Sequence, residues 1–217
     1  GVSPDTSITG FPSGIVNGVQ HSADAEALQA QTDLVLAYDD AAGRTPVTSV
    51  ATELGGTTLV PGTYAGATLG LTGTVTLDAK GDPDAVFVIK SNEKLITAEG
   101  SAVSLIGNAN PCNVYWVVGS SATFGVNSDF VGTTMAMASI TATTGADFEG
   151  RLLARTGAVT LDTNTVTNDC GAGDFGSYGF SGGTVTTAVP EPASWALLVT
   201  GFAGIGLRLR RRTQHLA

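Results

Sequence analysis

An 18-residue repeat in the second half of the chain constrains the fold more than any other feature. Phe130, Phe148 and Val166 follow one another at steps of 18 residues, and Gly132 and Gly150 share that step. This period is shorter than those of ankyrin or tetratricopeptide arrays, and it suits one coil of a β-solenoid with three short strands and three corners. A β-sandwich with evenly spaced strands is the alternative, although sandwich strands have no reason to keep such a register.

A second apolar series recurs at steps of 18 or 19 residues and comprises Val103, Ala122, Ile140 and Val159. Strand side chains alternate between faces, so the neighbours of these inward residues should point outward. The predicted outward residues are Ala102, Ser104, Ser121, Thr123, Ser139, Thr141, Ala158 and Thr160. Upstream, the face continues either through Thr74 and Thr76, which flank Val75, or through Thr68 and Gly70, which flank Leu69. The segments 72–78 and 156–162 match at six of seven positions.

This predicted face contains no charged side chain, which is unusual because solvent-facing strands normally carry charges. Stacked coils would repeat its hydroxyl and methyl groups every ~4.8 Å, a spacing close to repeats in the ice lattice. Such a grid can order water and join it to an ice surface through many weak contacts. The ladder Ser104, Thr123, Thr141 and Thr160 is the preferred candidate. The plainer interpretation is that Thr and Ser are simply suitable residues for a solenoid.

Composition agrees with a β-rich chain. Only 13% of the residues are charged, and Gly and Thr number 29 and 30. The hydrophobic fraction of 42% is too high for a disordered polymer, and the net charge of -9 argues against nucleic-acid binding. Four of the ten basic residues lie near the C-terminus: Arg208, Arg210, Arg211 and Arg212.

One long helix is predicted over residues 22–42, with Ser22 as N-cap and Gly43 as the C-terminal stop. Its apolar stripe is predicted to comprise Leu28, Thr32, Val35 and Tyr38.

Catalytic machinery is poorly represented. His21 stands beside the helix start, where a local hydrogen-bonding role is expected, and His215 lies in the tail. Asp129 and Asp147 should stack on neighbouring coils, which suits a solvated corner but is also compatible with a calcium site or a polysaccharide-cleaving pair. No cofactor and no metal site is predicted, and an enzyme is not expected.

Cys112 and Cys170 are the only cysteines, so a disulfide between them would be unambiguous. Two free buried thiols are an equal alternative on the residues alone. Export would favour the disulfide, because disulfides persist in the oxidising compartments outside the cytoplasm.

The C-terminal part divides into a Gly-rich linker at 171–188 and a tail at 189–217. The tail contains Pro190, Glu191 and Pro192, an apolar run at 195–207 and the arginine cluster. A helix over that run reaches only ~20 Å, short of a ~30 Å hydrocarbon core, so spanning is marginal; the arginines should stay cytoplasmic.

This tail resembles the PEP-CTERM sorting signal of Gram-negative bacteria. The resemblance implies recognition at the Pro-Glu-Pro site by a membrane exosortase, transient membrane anchoring, and release or surface delivery. A plain C-terminal anchor is the alternative.

Several longer segments are similar to the bacterial and fungal ice-binding protein family: residues 1–14, 37–44, 53–64, 76–90, 112–125 and 150–166. The resemblance implies a discontinuous right-handed β-solenoid of triangular cross-section with one long helix alongside, over residues 1–170. It also implies adsorption to ice, with thermal hysteresis or inhibition of recrystallisation. The N-terminal strands that precede the first segment in this family are expected to be missing.

Some family members carry a T-(A/G)-x-(T/N) motif on the binding face, and residues 141–144 (TATT) fit it. Residues 144–147 and 126–129 place Asp last, which would weaken an ice-like water layer. The expected protein is therefore an exported, monomeric ice-binding protein, secreted or held at the cell surface. A non-enzymatic adhesin that binds exopolysaccharide is the alternative.

Overall fold

The computed structural model describes residues 1–11, 13–168 and 170. It contains one α-helix, α1 (Ala25–Gly43), and one short 3-10 helix (Pro111–Asn113). The first strands are β1 (Thr48–Ser49), β2 (Thr58–Leu59), β3 (Gly62–Gly66), β4 (Leu69–Leu71), β5 (Thr74–Asp78), β6 (Phe87–Ser91), β7 (Leu95–Thr97) and β8 (Ala102–Ile106). The remaining strands are β9 (Val114–Val118), β10 (Ala122–Phe124), β11 (Asp129–Ala136), β12 (Ile140–Ala142), β13 (Asp147–Ala154), β14 (Val159–Thr160) and β15 (Thr165–Thr167).

These strands form two sheets in which the paired strands run parallel. The small sheet has the order β14-β12-β10-β7-β4. The large sheet has the order β1-β3-β6-β9-β11-β8-β5-β2; in addition, β13 pairs with β11, and β15 pairs with β13. The prediction of a mainly β fold with one long helix is confirmed.

The large sheet has two arms because β11 and β13 each run through a bend. The first half of β11 pairs with β8 and its second half with β9. We call the side with β3, β6 and β9 the helix arm, and the side with β2, β5, β8 and β15 the open arm. Gly132 and Gly150 occupy the bends with φ of 109° and 147°, a conformation that L side chains rarely adopt. The chain passes through the helix arm, the small sheet and the open arm in turn, and repeats this circuit.

The predicted 18-residue register holds over the last circuits. Phe130 pairs with Phe148, and Phe148 with Val166. Gly132 also pairs with Gly150. Here the sequence repeat corresponds directly to neighbouring parallel strands.

The core lies between the two sheets and is centred on aromatic rings. Phe124 stands 4.6 Å from Phe130 and 4.9 Å from Phe148, measured between ring centroids. Trp116 lies 4.8 Å from Phe130, and its Nε1 donates a hydrogen bond to the Val131 carbonyl at 3.0 Å. These rings are almost fully buried, and burial of such side chains is the main favourable contribution to folding.

Helix α1 begins at an Asp24 N-cap, whose Oδ1 accepts the Ala27 backbone N–H at 2.9 Å. The Ser22 prediction is therefore wrong by two residues. At the other end Lys90 Nζ donates to the carbonyls of Ala42 and Arg44, both at 3.0 Å. A cation at this end satisfies free carbonyls and complements the helix dipole.

The buried stripe of α1 differs from the predicted one. Ala27, Leu34, Tyr38 and Ala41 are its buried residues, whereas Leu28 is 61% exposed. Leu34, Tyr38 and Ala41 pack on the helix arm against Val88, Tyr115, Val117 and Met135. The predicted stripe is therefore correct at Tyr38 and wrong at Leu28, Thr32 and Val35, which are exposed. Small alanines allow the helix backbone to approach the strands, so the buried face includes residues that hydrophobicity alone does not select.

Cys112 and Cys170 are joined by a disulfide, which decides between the two alternatives that the residues left open. It ties the end of the described chain to the 3-10 helix, across a separation of 58 residues.

The predicted linker, Pro-Glu-Pro site and C-terminal helix lie outside the described residues. Among the residues that are described, no helix is long and apolar enough to cross a membrane.

Candidate functional site

The outer face of the small sheet carries a column of aligned residues. Strand register places Gly70, Ile96, Thr123, Thr141 and Thr160 side by side in that order. Thr123 and Thr160 are exposed and Thr141 is partly exposed. On β10 and β12 the flanking residues are buried, so each middle residue points away from the core.

A second column consists of the residues that immediately precede these strands: Thr68, Lys94, Ser121, Ser139 and Ala158. Their alignment follows from the backbone ladder. The N–H of Leu95 donates to the Ser121 carbonyl at 3.3 Å, and the N–H of Ala122 donates to the Ser139 carbonyl at 3.0 Å. The Ser121 hydroxyl also accepts the Ser139 N–H at 3.3 Å, so short polar side chains link successive strands.

Beyond the middle column, residues 141–144 extend the face toward the next corner. The Thr143 hydroxyl donates to the Phe124 carbonyl at 2.7 Å, and the Thr144 hydroxyl donates to Asp162 Oδ2 at 2.6 Å. The Thr144 and Thr163 hydroxyls lower the pKa of Asp162, so this exposed carboxylate is ionised at neutral pH.

The opposite end of the face is charged. An isolated bridge pairs Glu53 with Gly70, which puts Glu53 at the head of the middle column. Burial raises the pKa of Glu53, but N–H groups of Gly55 and Thr72 and the Thr72 hydroxyl bind the carboxylate at 2.7 to 3.1 Å and lower the pKa overall. Exposed Lys94 lies in the second column, so the expected absence of charge from this face is wrong.

Thr74, Thr76 and Ser104 do not belong to this face. They lie on the open arm, where Thr76 pairs with Thr58 and Ser104, and Thr74 pairs with Ala102. The preferred ladder is therefore wrong at Ser104 and correct in register for its three threonines. Of the two upstream alternatives, it is Thr68 and Gly70, which flank Leu69, that the strand register aligns with the threonines.

The error has a physical cause in the length of the upstream circuits. Leu69 pairs with Leu95 and Leu95 with Ala122, steps of 26 and 27 residues. In these circuits the segments 79–86 and 107–113 separate the open arm from the helix arm, whereas β11 and β13 cross the same corner as continuous strands. Val103 therefore falls on the open arm, where it pairs with Val75.

The open arm carries the acidic pair. Asp129 pairs with Asp147, as the repeat predicts, and Asp147 pairs with Thr165. Both aspartates are exposed, and Asp147 Oδ1 accepts the Thr165 N–H at 3.2 Å. This is the solvated arrangement that the sequence favoured.

His21 and a cavity beside α1 are the other places where a functional group could lie. His21 Nδ1 lies 2.8 Å from Asp24 Oδ2 at the helix start, which is the predicted local role. Glu26 is close enough to complete a group of three possible metal ligands, and that group is mostly exposed. A cavity of about 270 Å³ adjoins the C-terminal end of α1 and is lined by Tyr38, Lys90 and Asn92 among others.

Comparison with known proteins agrees with this arrangement of strands. The family model described as Ice-binding-like matches residues 1–167. The chain belongs to the ice-binding-like family. An ice-binding protein of Nostoc sp. (strain HG1) is 41% identical over 216 residues, which cover 98% of this chain and 77% of the relative.

Solved structures of the ice-binding-like family have the same fold. The crystal structure of an ice-binding protein from the Antarctic ascomycete Antarctomyces psychrotrophicus gives a TM-score of 0.73 at 42% identity, over 75% of this chain and 81% of that chain. An ice-binding protein from an Antarctic biological consortium gives 0.75 at 49% identity, over 76% and 77%. A second family model, the PEP-CTERM protein-sorting motif, matches residues 188–212.

Proposed function

We propose that this protein adsorbs to ice through the outer face of the small sheet. The observation that carries the proposal is the column Thr123, Thr141 and Thr160, whose members are in register and accessible on three neighbouring strands. Membership of the ice-binding-like family supports the proposal, and so do relatives named as ice-binding proteins.

The chemistry of the column suits an ordered water layer. Parallel strands repeat every ~4.8 Å, so the threonines present methyl and hydroxyl groups at a nearly constant spacing. Each contact with ice is weak, and adsorption depends on many contacts forming together on a surface that loses little entropy. A backbone ladder on both sides of Thr141 and buried residues beneath it hold that surface in place.

The proposed face keeps most of the residues predicted from sequence and adds the end of the T-A-x-T segment. Its members are Thr68, Ser121, Thr123, Ser139, Thr141, Thr143, Thr144, Ala158 and Thr160. Thr74, Thr76 and Ser104 are left out because they lie on the open arm of the large sheet and are not aligned with the threonine column.

The finer architecture is part of the same proposal. Three strand series visited in turn fit the three walls of a right-handed solenoid with a triangular cross-section. Residues 1–170 would form this domain, with a linker at 171–188 and a sorting segment at 189–217.

Sorting and location follow from the PEP-CTERM motif. We propose export to the surface or surroundings of a Gram-negative cell, with recognition at Pro190, Glu191 and Pro192 by an exosortase-type enzyme and transient insertion of the tail in the membrane. The protein would act as a monomer and without catalysis, because adsorption to ice requires neither a partner subunit nor a reaction. Neither the described residues nor the relatives named above favour the adhesin alternative.

The proposal is tested by growing a single ice crystal in a solution of the purified chain. Adsorption to particular crystal planes produces facets and stops growth within a thermal-hysteresis gap. A round crystal that grows as it does in buffer would contradict the proposal.

A further inference from the structure

Strand β7 and its flanking residues border the uncharged part of the small sheet's outer face on one side, and Asp162 after β14 borders it on the other. Ile96 pairs with Thr123 in the middle column, and Lys94 precedes β7 at the position that Ser121 has before β10. On the other side, the Gly100 N–H donates to the Val126 carbonyl at 2.9 Å, which aligns Glu99 with Val126. We call the outward residues of one strand and its flanking segments a row. The β7 row consists of Lys94, Ile96 and Glu99, and the aligned residues of the β10 row are Ser121, Thr123 and Val126.

Both charges on this row face solvent. Lys94 and Glu99 are exposed, and within residues 1–11, 13–168 and 170 neither one forms a salt bridge. Each therefore keeps its own hydration shell. Bringing an ice surface against the β7 row would require removal of that water, and stripping water from an unpaired charge is costly.

The β7 row lies between the β4 row and the three threonines of β10, β12 and β14. Thr68 precedes β4 in the same column as Lys94, and its hydroxyl donates to Glu93 Oε2 at 2.7 Å. An ice surface that spans the whole sheet would have to cover Lys94 before it reaches Thr68.

We infer that Lys94 and Glu99 limit ice contact on this side to the rows of β10 and β12 and to Ala158 and Thr160 of the β14 row, and thereby limit activity. The other border is Asp162, which backbone hydrogen bonds align with Thr144 and so with Glu99. This inference rests on the function proposed above and specifies which part of the face is used. Since adsorption strength grows with the number of contacts made together, neutralising the β7 row should enlarge the contact area and strengthen adsorption.

The experiment compares thermal hysteresis at equal concentration for the full chain, the Lys94→Ser/Glu99→Thr double variant and a matched Lys94→Arg/Glu99→Asp double variant. The neutral variant should raise hysteresis by about twofold, because the β7 row joins the rows already in use. The charge-preserving variant should equal the parent. Thermal hysteresis of the single Lys94→Ser variant measures the effect of removing the positive charge alone. Circular dichroism verifies the fold of every variant.

A Thr141→Tyr variant separates failure of this inference from failure of the proposed function. If Thr141→Tyr loses activity while the neutral variant does not gain any, contact with ice is not limited by the β7 row and the inference is overturned. If a folded Thr141→Tyr variant keeps full activity, the small sheet is not the binding face and the proposed function of that face is overturned. A gain in both double variants would also overturn the inference, because charge would then not be the limiting property.

Discussion

Thr123 and Thr141 are paired directly across β10 and β12, with both side chains on the outer face of the small sheet. Their 18-residue spacing is visible in the sequence, but the pairing shows that it corresponds to neighbouring positions on one surface. The same register continues to Thr160. Three threonines in line on one side of the molecule are the geometric basis of the functional proposal.

The bend of β13 depends on Gly150. Its φ is 147°, and a Cβ there would collide with the carbonyl oxygen of Gly132 on the neighbouring strand. We expect Gly150→Ala to lower the free energy of unfolding by about 3 kcal/mol, measured by urea denaturation. Gly18→Ala is the control because a Cβ at Gly18 meets nothing within 4 Å; equal effects of the two substitutions would contradict this account.

The corner after β14 is strained by a threonine. Thr163 has a φ of 54°, which is unfavourable for a β-branched residue, and Gly145 has a φ of 69° at the same corner one circuit earlier. We expect Thr163→Gly to raise the free energy of unfolding by about 1 kcal/mol, with the strain relief reduced by loss of the Thr163 to Asp162 hydrogen bond. Gly145→Thr should have the opposite sign. A destabilised Thr163→Gly protein would show that the hydroxyl matters more than the backbone conformation.

The disulfide closes a long loop. Removing both thiols in a Cys112→Ser/Cys170→Ser variant should lower the free energy of unfolding by about 3 to 4 kcal/mol, given a separation of 58 residues. Chemical reduction of the parent should produce a similar loss, whereas the double variant should not respond to reductant. Unchanged stability after removal of the disulfide would mean that the core alone holds this segment.

Acid should weaken the protein partly through Glu53. Burial raises the pKa of this carboxyl, and hydrogen bonds from Gly55 and Thr72 outweigh that effect and lower the pKa below its ordinary value. A carboxyl with a lowered folded pKa stabilises the protein above the unfolded value, and this contribution is lost as pH falls through the folded value. The melting temperature of the parent should exceed that of Glu53→Gln at pH 7, and the difference should shrink in acid. The difference should be small because the group is mostly exposed. A constant difference at every pH would rule out this titration.

Sequence reasoning worked best where the circuits are shortest. Phe130, Phe148 and Val166 mark the register because β11 and β13 cross one corner without a loop, so the period stays at 18 residues. Upstream, the extra residues 79–86 and 107–113 stretch the circuit and hide the equivalence of Leu95 and Ala122. The charges at Lys94 and Glu99 were missed for that reason.

Local similarity between two segments also led to a wrong prediction. Residues 72–78 and 156–162 match closely, yet β5 lies on the open arm and β14 in the small sheet. An alternating Thr and Val pattern specifies a strand with one buried face, but it does not specify which sheet the strand joins. That decision depends on loop lengths and long-range pairing, which explains why Thr74 and Thr76 were misplaced.

The most direct test of the binding face compares Thr141→Tyr with Ser104→Tyr. Both replace a small, partly exposed strand residue by the same bulky ring, but only Thr141 lies on the small sheet. Thermal hysteresis should fall by about tenfold or more for Thr141→Tyr, because the ring separates the face from ice and breaks many contacts at once. Ser104→Tyr should keep the parent value. Loss of activity in folded Ser104→Tyr with full activity in Thr141→Tyr would contradict the account.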